Sequence, residues 1–234
     1  MAIQFIGLGV RAVASAIPLP GAGPAKPRGF SISVDTDIRA AQRMLKRVGE
    51  RNIPMALAQS LTATAKHLSA IHKRSMGKYI DRPTPFTRKG IGYQYAKWKD
   101  YKRGAMYASV FVKPTQSEYL KYQVFGGRRT SSRTSSNIVV PGLSTKLNKY
   151  GNLTRTYLRT QSARSDTHVA KINGVNGLWK TMKSGRIKLL VMFTDDAQYK
   201  SNRWPFFKIS KRVVDRELPR QLNKAVKRAL NKGR

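Results

Sequence analysis

Apolar and polar positions follow one another along this chain in a definite order of periods. In GFSISVDTD, Phe30, Ile32 and Val34 alternate with polar partners, the period of a half-buried strand. Asp35 or Thr36 then stands where a helix cap is expected, ahead of a basic helix to about Gly49 with Ile38, Met44, Leu45 and Val48 for its buried face. The clearest helix comes next. After Asn52, Pro54 is tolerated in a first turn, and Leu57, Leu61, Ala65, Leu68 and Ile71 fall at the three-to-four spacing of an amphipathic helix ending near Gly77. RPTPFTRKGI, with prolines at 83 and 85, predicts a break that excludes helix.

Strands follow the break. IGYQYAKW and AMYASVFVK both alternate and are joined by a basic turn around Lys102 to Gly104, which predicts a hairpin. SEYLKYQVFGG predicts a short helix with Ser117 as cap, Tyr119, Leu120 and Val124 inward, and Gly126-Gly127 as its stop. From Arg128 to about residue 165 the pattern weakens to a long basic loop in which only NIVVPG is strand-like. Strand character returns at Val169 to Ile172, GLWKTM and GRIKLLVMF, the last being the best buried strand. The C-terminal helix carries Ile209, Val213, Leu222, Val226 and Leu230, with Pro219 expected to kink or divide it. The expected architecture is α+β: a mainly antiparallel sheet packed with a long helix in the N-terminal half and a basic C-terminal helix.

The chain opens on an apolar stretch and a Pro/Gly linker to residue 29. It lacks a basic start and Arg11 interrupts its apolar run, so it reads as an extended arm instead of a secretory signal. Residues 30 to 234 then form a single domain. No run reaches the roughly 18 uninterrupted apolar residues of a membrane span, so no membrane partner is expected.

Composition changes the picture through charge. Among 234 residues, 46 Lys+Arg face 11 Asp+Glu, a formal net charge of +35, so something negative is expected nearby: nucleic acid first, an anionic membrane surface, or acidic protein neighbours. Between Tyr119 and Asp166 there is no acidic residue until the last, and RRTSSRTSS lies in that stretch. The absence of cysteine removes disulfides, thiolate metal sites and cysteine nucleophiles.

Candidate chemistry is sparse. Asp195-Asp196 is the only adjacent acidic pair, His67 and His72 are spaced five apart and expected at a partly exposed helix surface, and His168 is isolated. No phosphate-binding glycine loop is complete. Neither catalysis, a metal nor a cofactor is expected. Tyr93, Tyr95, Trp98 and Tyr101 interleave with Lys97, Lys99, Lys102 and Arg103, which suits a packing surface first and base stacking second.

The order of motifs carries more than any one of them. NIPMALAQSLTATAKHLSAIHKRSM precedes RPTPFTRKGI, a hairpin, EYLKYQVFGGRR, VPGLSTKLNKYGNLTR, GLWKTM, RIKLLVMFTD and the WPFFKISKRVV to LNKAVKRAL helix. From about Asn52 to Leu230 this resembles the tail-completion, or minor tail protein Z-like, neck proteins of tailed bacteriophages and prophages. The apolar N-terminus does not belong to that pattern. The resemblance implies a non-enzymatic virion protein made in the bacterial host cytoplasm and assembled as a homo-oligomeric ring at the head-tail junction. Its partners would be neighbouring neck, portal-adaptor or tail proteins, with packaged double-stranded DNA passing through. Candidate contacts to DNA or partners are Arg128, Arg129, Arg133, Lys146, Lys149, Arg155 and Arg159 in the central loop. Lys224, Lys227 and Arg228 add to them on the C-terminal helix. A free, non-specific nucleic-acid-binding or packaging factor is the alternative.

Overall fold

Leu57, Leu61, Ala65, Leu68, His72 and Met76 recur every three or four residues, and a helix carrying them turns all six to one side. That helix, α1, spans Ile53–Tyr79, and all six of these side chains are buried. The computed structural model describes residues 31–34, 53–130, 138–200 and 203–232. The apolar arm and linker, the basic helix expected before Gly49, and Arg133 lie outside the described residues.

A three-stranded antiparallel sheet lies beneath α1. Strand β1 (Ser31–Val34) and strand β2 (Ile91–Gln94) flank β3 (Ala108–Val112), with Ile32 opposite Val110 and Ile91 opposite Val112. The expected hairpin is present. Its strands are shorter than the alternation suggested, because residues 95–107 leave the ladder and form a 3-10 turn at Trp98–Tyr101. The Ala96 N–H donates to Thr62 Oγ1 at 3.0 Å, which ties this excursion to α1.

The C-terminal helix, spanning Phe206–Lys232 and labelled α5 by its place in the chain, packs along α1. Val213, Val214, Leu218 and Leu222 are buried in the same core as Leu57 and Leu61. Pro219 lies inside this helix and does not divide it. A proline costs a helix interior about 3 kcal/mol. Burial of Leu218 and Leu222 on either side opposes that cost. The Ser60 hydroxyl, between the Ala56 carbonyl at 2.7 Å and the Gln221 carbonyl at 3.2 Å, joins the two helices.

His72 is the main correction in the core. The sequence placed it at a partly exposed surface, but it is fully buried, since the apolar stripe runs from Leu68 through 72 to Met76 and leaves Ile71 at its margin. Its ring stacks on Phe206 (centroids 4.1 Å apart, 14° between planes) and meets Trp204 edge-on at 5.6 Å. Nε2 lies 2.8 Å from Ser210 Oγ, and Ser210 in turn donates to the Phe206 carbonyl at 2.8 Å. With that hydroxyl proton engaged, the consistent tautomer carries its proton on Nε2, leaving Nδ1 buried without a partner. Burial pushes the His72 pKa down to about 3.

Three local expectations are also corrected. PFTR does form a helical turn, α2 (Pro85–Arg88), because a proline at the first helical position needs no N–H partner and Thr84 Oγ1 accepts from the Thr87 N–H at 3.1 Å. The next helix, α3 (Pro114–Phe125), starts before Ser117. Pro114 sets its first turn and Ser117 is buried inside it, while Gly126 ends it at φ 69° as expected. Finally, residues 128–165 are not one excursion. Strand β4 (Gly127–Thr130) pairs with β9 (Asp196–Tyr199), β5 (Ile138–Pro141) pairs with β8 (Ile187–Thr194), and a short helix α4 covers Tyr157–Ser162. Strands β6 (Thr167–Ile172) and β7 (Val175–Thr181) complete a four-stranded antiparallel sheet in the order β5-β8-β7-β6. Its small core joins Leu178, Leu190 and Val191 to Leu153, Tyr157 and Leu158. The described residues are therefore α+β with antiparallel strand pairing throughout, distributed over three sheets.

Candidate interaction surface

A bulge in the pairing of β7 with β8 builds the base of the central loop. Leu178 stands opposite Val191 but Trp179 opposite Leu189, so Leu190 has no partner across the ladder. Its carbonyl accepts instead from the Gly142 N–H at 2.8 Å and from the Thr145 hydroxyl. A side chain at 142 would place Cβ 2.4 Å from the Leu189 carbonyl oxygen, so glycine is required there. The loop then folds on Asn148, whose Oδ1 accepts from the N–H groups of Tyr150 (2.9 Å) and Asn152 (3.1 Å). KLNKYGNL is thus a closed, hydrogen-bonded turn.

Gly151 takes φ 76° in that turn, beside the Arg82 guanidinium. A Gly151→Ala chain would put Cβ 2.9 Å from Arg82 Nη2. The arginine tip can swing away, whereas the left-handed backbone costs an L residue about 1–2 kcal/mol. We expect a stability loss of about that size, read from the urea midpoint.

Over the face of the sheet that carries Leu178 and Val191, the loop and α4 enclose an open groove of about 560 Å3. Lys146 lines it from the loop, Lys180 from β7 and Lys188 from β8, together with Leu147, Met182 and Leu190. The strand lysines are half-buried and Lys146 is exposed. At the edge, Arg164 holds Asp166 through two hydrogen bonds of 2.9 Å, and Lys180 Nζ is 3.3 Å from the same carboxylate. The Arg164 hydrogen bonds, assisted by Lys180, keep Asp166 well below the usual carboxylate range.

The other expected contact residues are dispersed. Arg128 and Arg129 belong to strand β4, and Arg128 is paired with Asp196 across to β9, so it is already engaged. Lys149 lies over the Tyr150 ring at 5.3 Å, and Arg155 and Arg159 are exposed just before and on α4. Lys224, Lys227 and Arg228 are exposed on α5, a separate element. The structure thus brings Lys146 into the groove with two lysines that the sequence reading missed. Their strand positions were legible, but the register placing Lys180 opposite Lys188 was not.

Tyr93, Tyr95, Trp98 and Tyr107 are exposed around the 95–107 excursion, with Lys99 Nζ 5.9 Å from the Trp98 ring. His67 is half-buried and His168 exposed. Among the described residues no three His, Cys, Asp or Glu side chains are grouped to hold a metal ion, and no helix is long and apolar enough to cross a membrane.

The three motifs quoted from separate parts of the sequence meet around the 82–88 turn. The Thr87 hydroxyl is 3.1 Å from the Tyr119 hydroxyl, Gln116 Nε2 donates to the Phe86 carbonyl at 3.3 Å, and Gly151 abuts Arg82. Neither a family model, a curated protein nor a solved structure matches the chain.

Proposed function

We propose that this chain is a non-enzymatic structural subunit of a tailed-phage particle, a ring-forming tail-completion or neck protein at the head-tail junction. The observation that carries the reading is the convergence of TPFT, EYLKYQVFGG and KLNKYGNL on one turn. Segments distant in the chain meet there, with Thr87 and Tyr119 sharing a hydrogen bond and Gly151 lying beside Arg82, as parts of one construction would. The exposed cations of the loop and of α5 supply a surface for acidic neighbours or DNA. Ring closure requires one patch of a protomer to meet a different patch of the next.

Quantitative mass spectrometry of nuclease-treated particles tests it by counting this chain against the portal protein. A fixed copy number equal to one or two small rings is the expected result. Absence from the particle overturns the reading and favours a free nucleic-acid-binding factor. A second test replaces Lys149, Arg155 and Arg159 together with glutamine. Exposed substitutions of this kind change stability by about 0.5 kcal/mol or less each, so the chain should fold and enter particles while infectivity falls. Undiminished infectivity would remove these three residues from the contact.

A further inference from the structure

Lys180 and Lys188 stand directly opposite each other on neighbouring strands, an arrangement that destabilises a ladder when left alone. Both are half-buried in the groove, and Lys146 approaches from the loop, so three ammonium groups line one recess with no carboxylate among its walls. Asp166 offsets only part of this charge, because Arg164 already holds both of its oxygens. The groove thus combines an excess of positive charge with the apolar lining residues Leu147, Met182 and Leu190.

We infer that this groove docks an acidic peptide segment of a different protein, with carboxylates on Lys146 and Lys188 and an apolar side chain against Leu147, Met182 and Leu190. A phosphate backbone would answer the charge but leave Leu147, Met182 and Leu190 without a partner, and a rigid duplex is too wide to enter a recess of about 560 Å3. A volume of about 560 Å3 suits several side chains. A second copy of this chain is a poor source for the segment, since it carries 11 Asp+Glu against 46 Lys+Arg. The groove deepens the assembly proposed above by giving its neighbour a chemistry, and rests on that reading only for where the partner comes from.

Binding is measured on the purified full chain by fluorescence anisotropy at physiological salt. The probes are a labelled peptide of alternating glutamate and leucine, the same peptide with glutamine for glutamate, and a labelled duplex DNA. The glutamate peptide should bind more tightly than the glutamine one. Lys146→Gln with Lys188→Gln should weaken it at least about tenfold, as loss of desolvated charge partners does. Duplex affinity should stay within about twofold, because the net charge falls only from +35 to +33. Lys66→Gln with Arg74→Gln, on the exposed side of α1, removes equal charge and should leave the peptide bound as before.

Equal binding of the two peptides, no effect of the groove variant, or a loss shared by the control variant overturns the proposal. A loss confined to duplex DNA would give the groove to nucleic acid. The particle count is independent: absence from particles with intact peptide binding fells the virion reading and leaves the groove, and the reverse pair of results does the opposite.

Discussion

Trp204→Ala lowers the unfolding free energy by about 3–5 kcal/mol, the range for removing a buried large aromatic, with the urea midpoint as the readout. The residue is fully buried, meeting the His72 ring edge-on at 5.6 Å and Phe206 at 5.2 Å, at the point where α5 begins against α1. Its backbone N–H donates to the Gln123 carbonyl at 2.8 Å, so this residue also anchors α3 to the entry of α5. Alanine keeps that bond and removes the ring, leaving a cavity between three elements that cannot all collapse on it. Trp98→Ala is the matched contrast. That ring is 54% exposed, and its loss should change stability by about 0.5 kcal/mol or less. Similar losses in the two variants would mean that the core is not organised around residue 204.

Acidification should destabilise the protein before its carboxylates titrate, and His72→Phe should remove that effect. The folded pKa of His72 is about 3, against an ordinary value of 6.5 in the unfolded chain. Between these values the unfolded state binds more protons, so stability is fully present above pH 6.5 and falls as pH drops toward 3. One such proton is worth about 1.4 kcal/mol per pH unit inside the window. Phenylalanine keeps the stacking on Phe206, and Ser210 still donates to the Phe206 carbonyl. Urea unfolding at pH 7, 6 and 5 should therefore give a steep decline for the parent and a flatter one for the variant. Asp166, depressed by Arg164, adds its own loss only as pH falls through the ordinary carboxylate range, below the pH 5 to 7 of these unfolding curves. Parallel declines from pH 6.5 to 5 would show that His72 takes up its proton in the folded state.

The long helices were legible because many residues repeat the same periodic signal. Leu57, Leu61, Ala65 and Leu68 define the inner face of α1 whichever sheet lies beneath, and Val213 and Leu222 do the same for α5. Continuing the first stripe by four residues would have placed His72 inside, so that error came from treating a polar residue as an end to the pattern. Short elements were less legible. Pro85 and Pro114 were read as breakers or overlooked, although each occupies a first helical turn, where the missing N–H costs nothing. Within the basic stretch, Gly127–Thr130 carries no apolar alternation at all and is a strand only because β9 lies beside it.

The groove divides along the same line. Lys146 was legible as a loop cation, since it stands in a mostly polar stretch in which no period buries it. Lys180 and Lys188 each lay in a strand of known period, but a period places a side chain on a face without saying what stands opposite. The bulge at Leu190 makes the limit concrete. It lets Leu190 and Val191, adjacent in sequence, both be buried, and so shifts the face assignment of every residue beyond it. The sequence by itself determined the helices, the α+β class and the excess of positive charge, because these follow from periodicity and composition, which sum over many residues. Strand register, the bulge and the convergence of three lysines on one recess were decided by tertiary structure, because each depends on a few long-range pairings that leave no periodic trace.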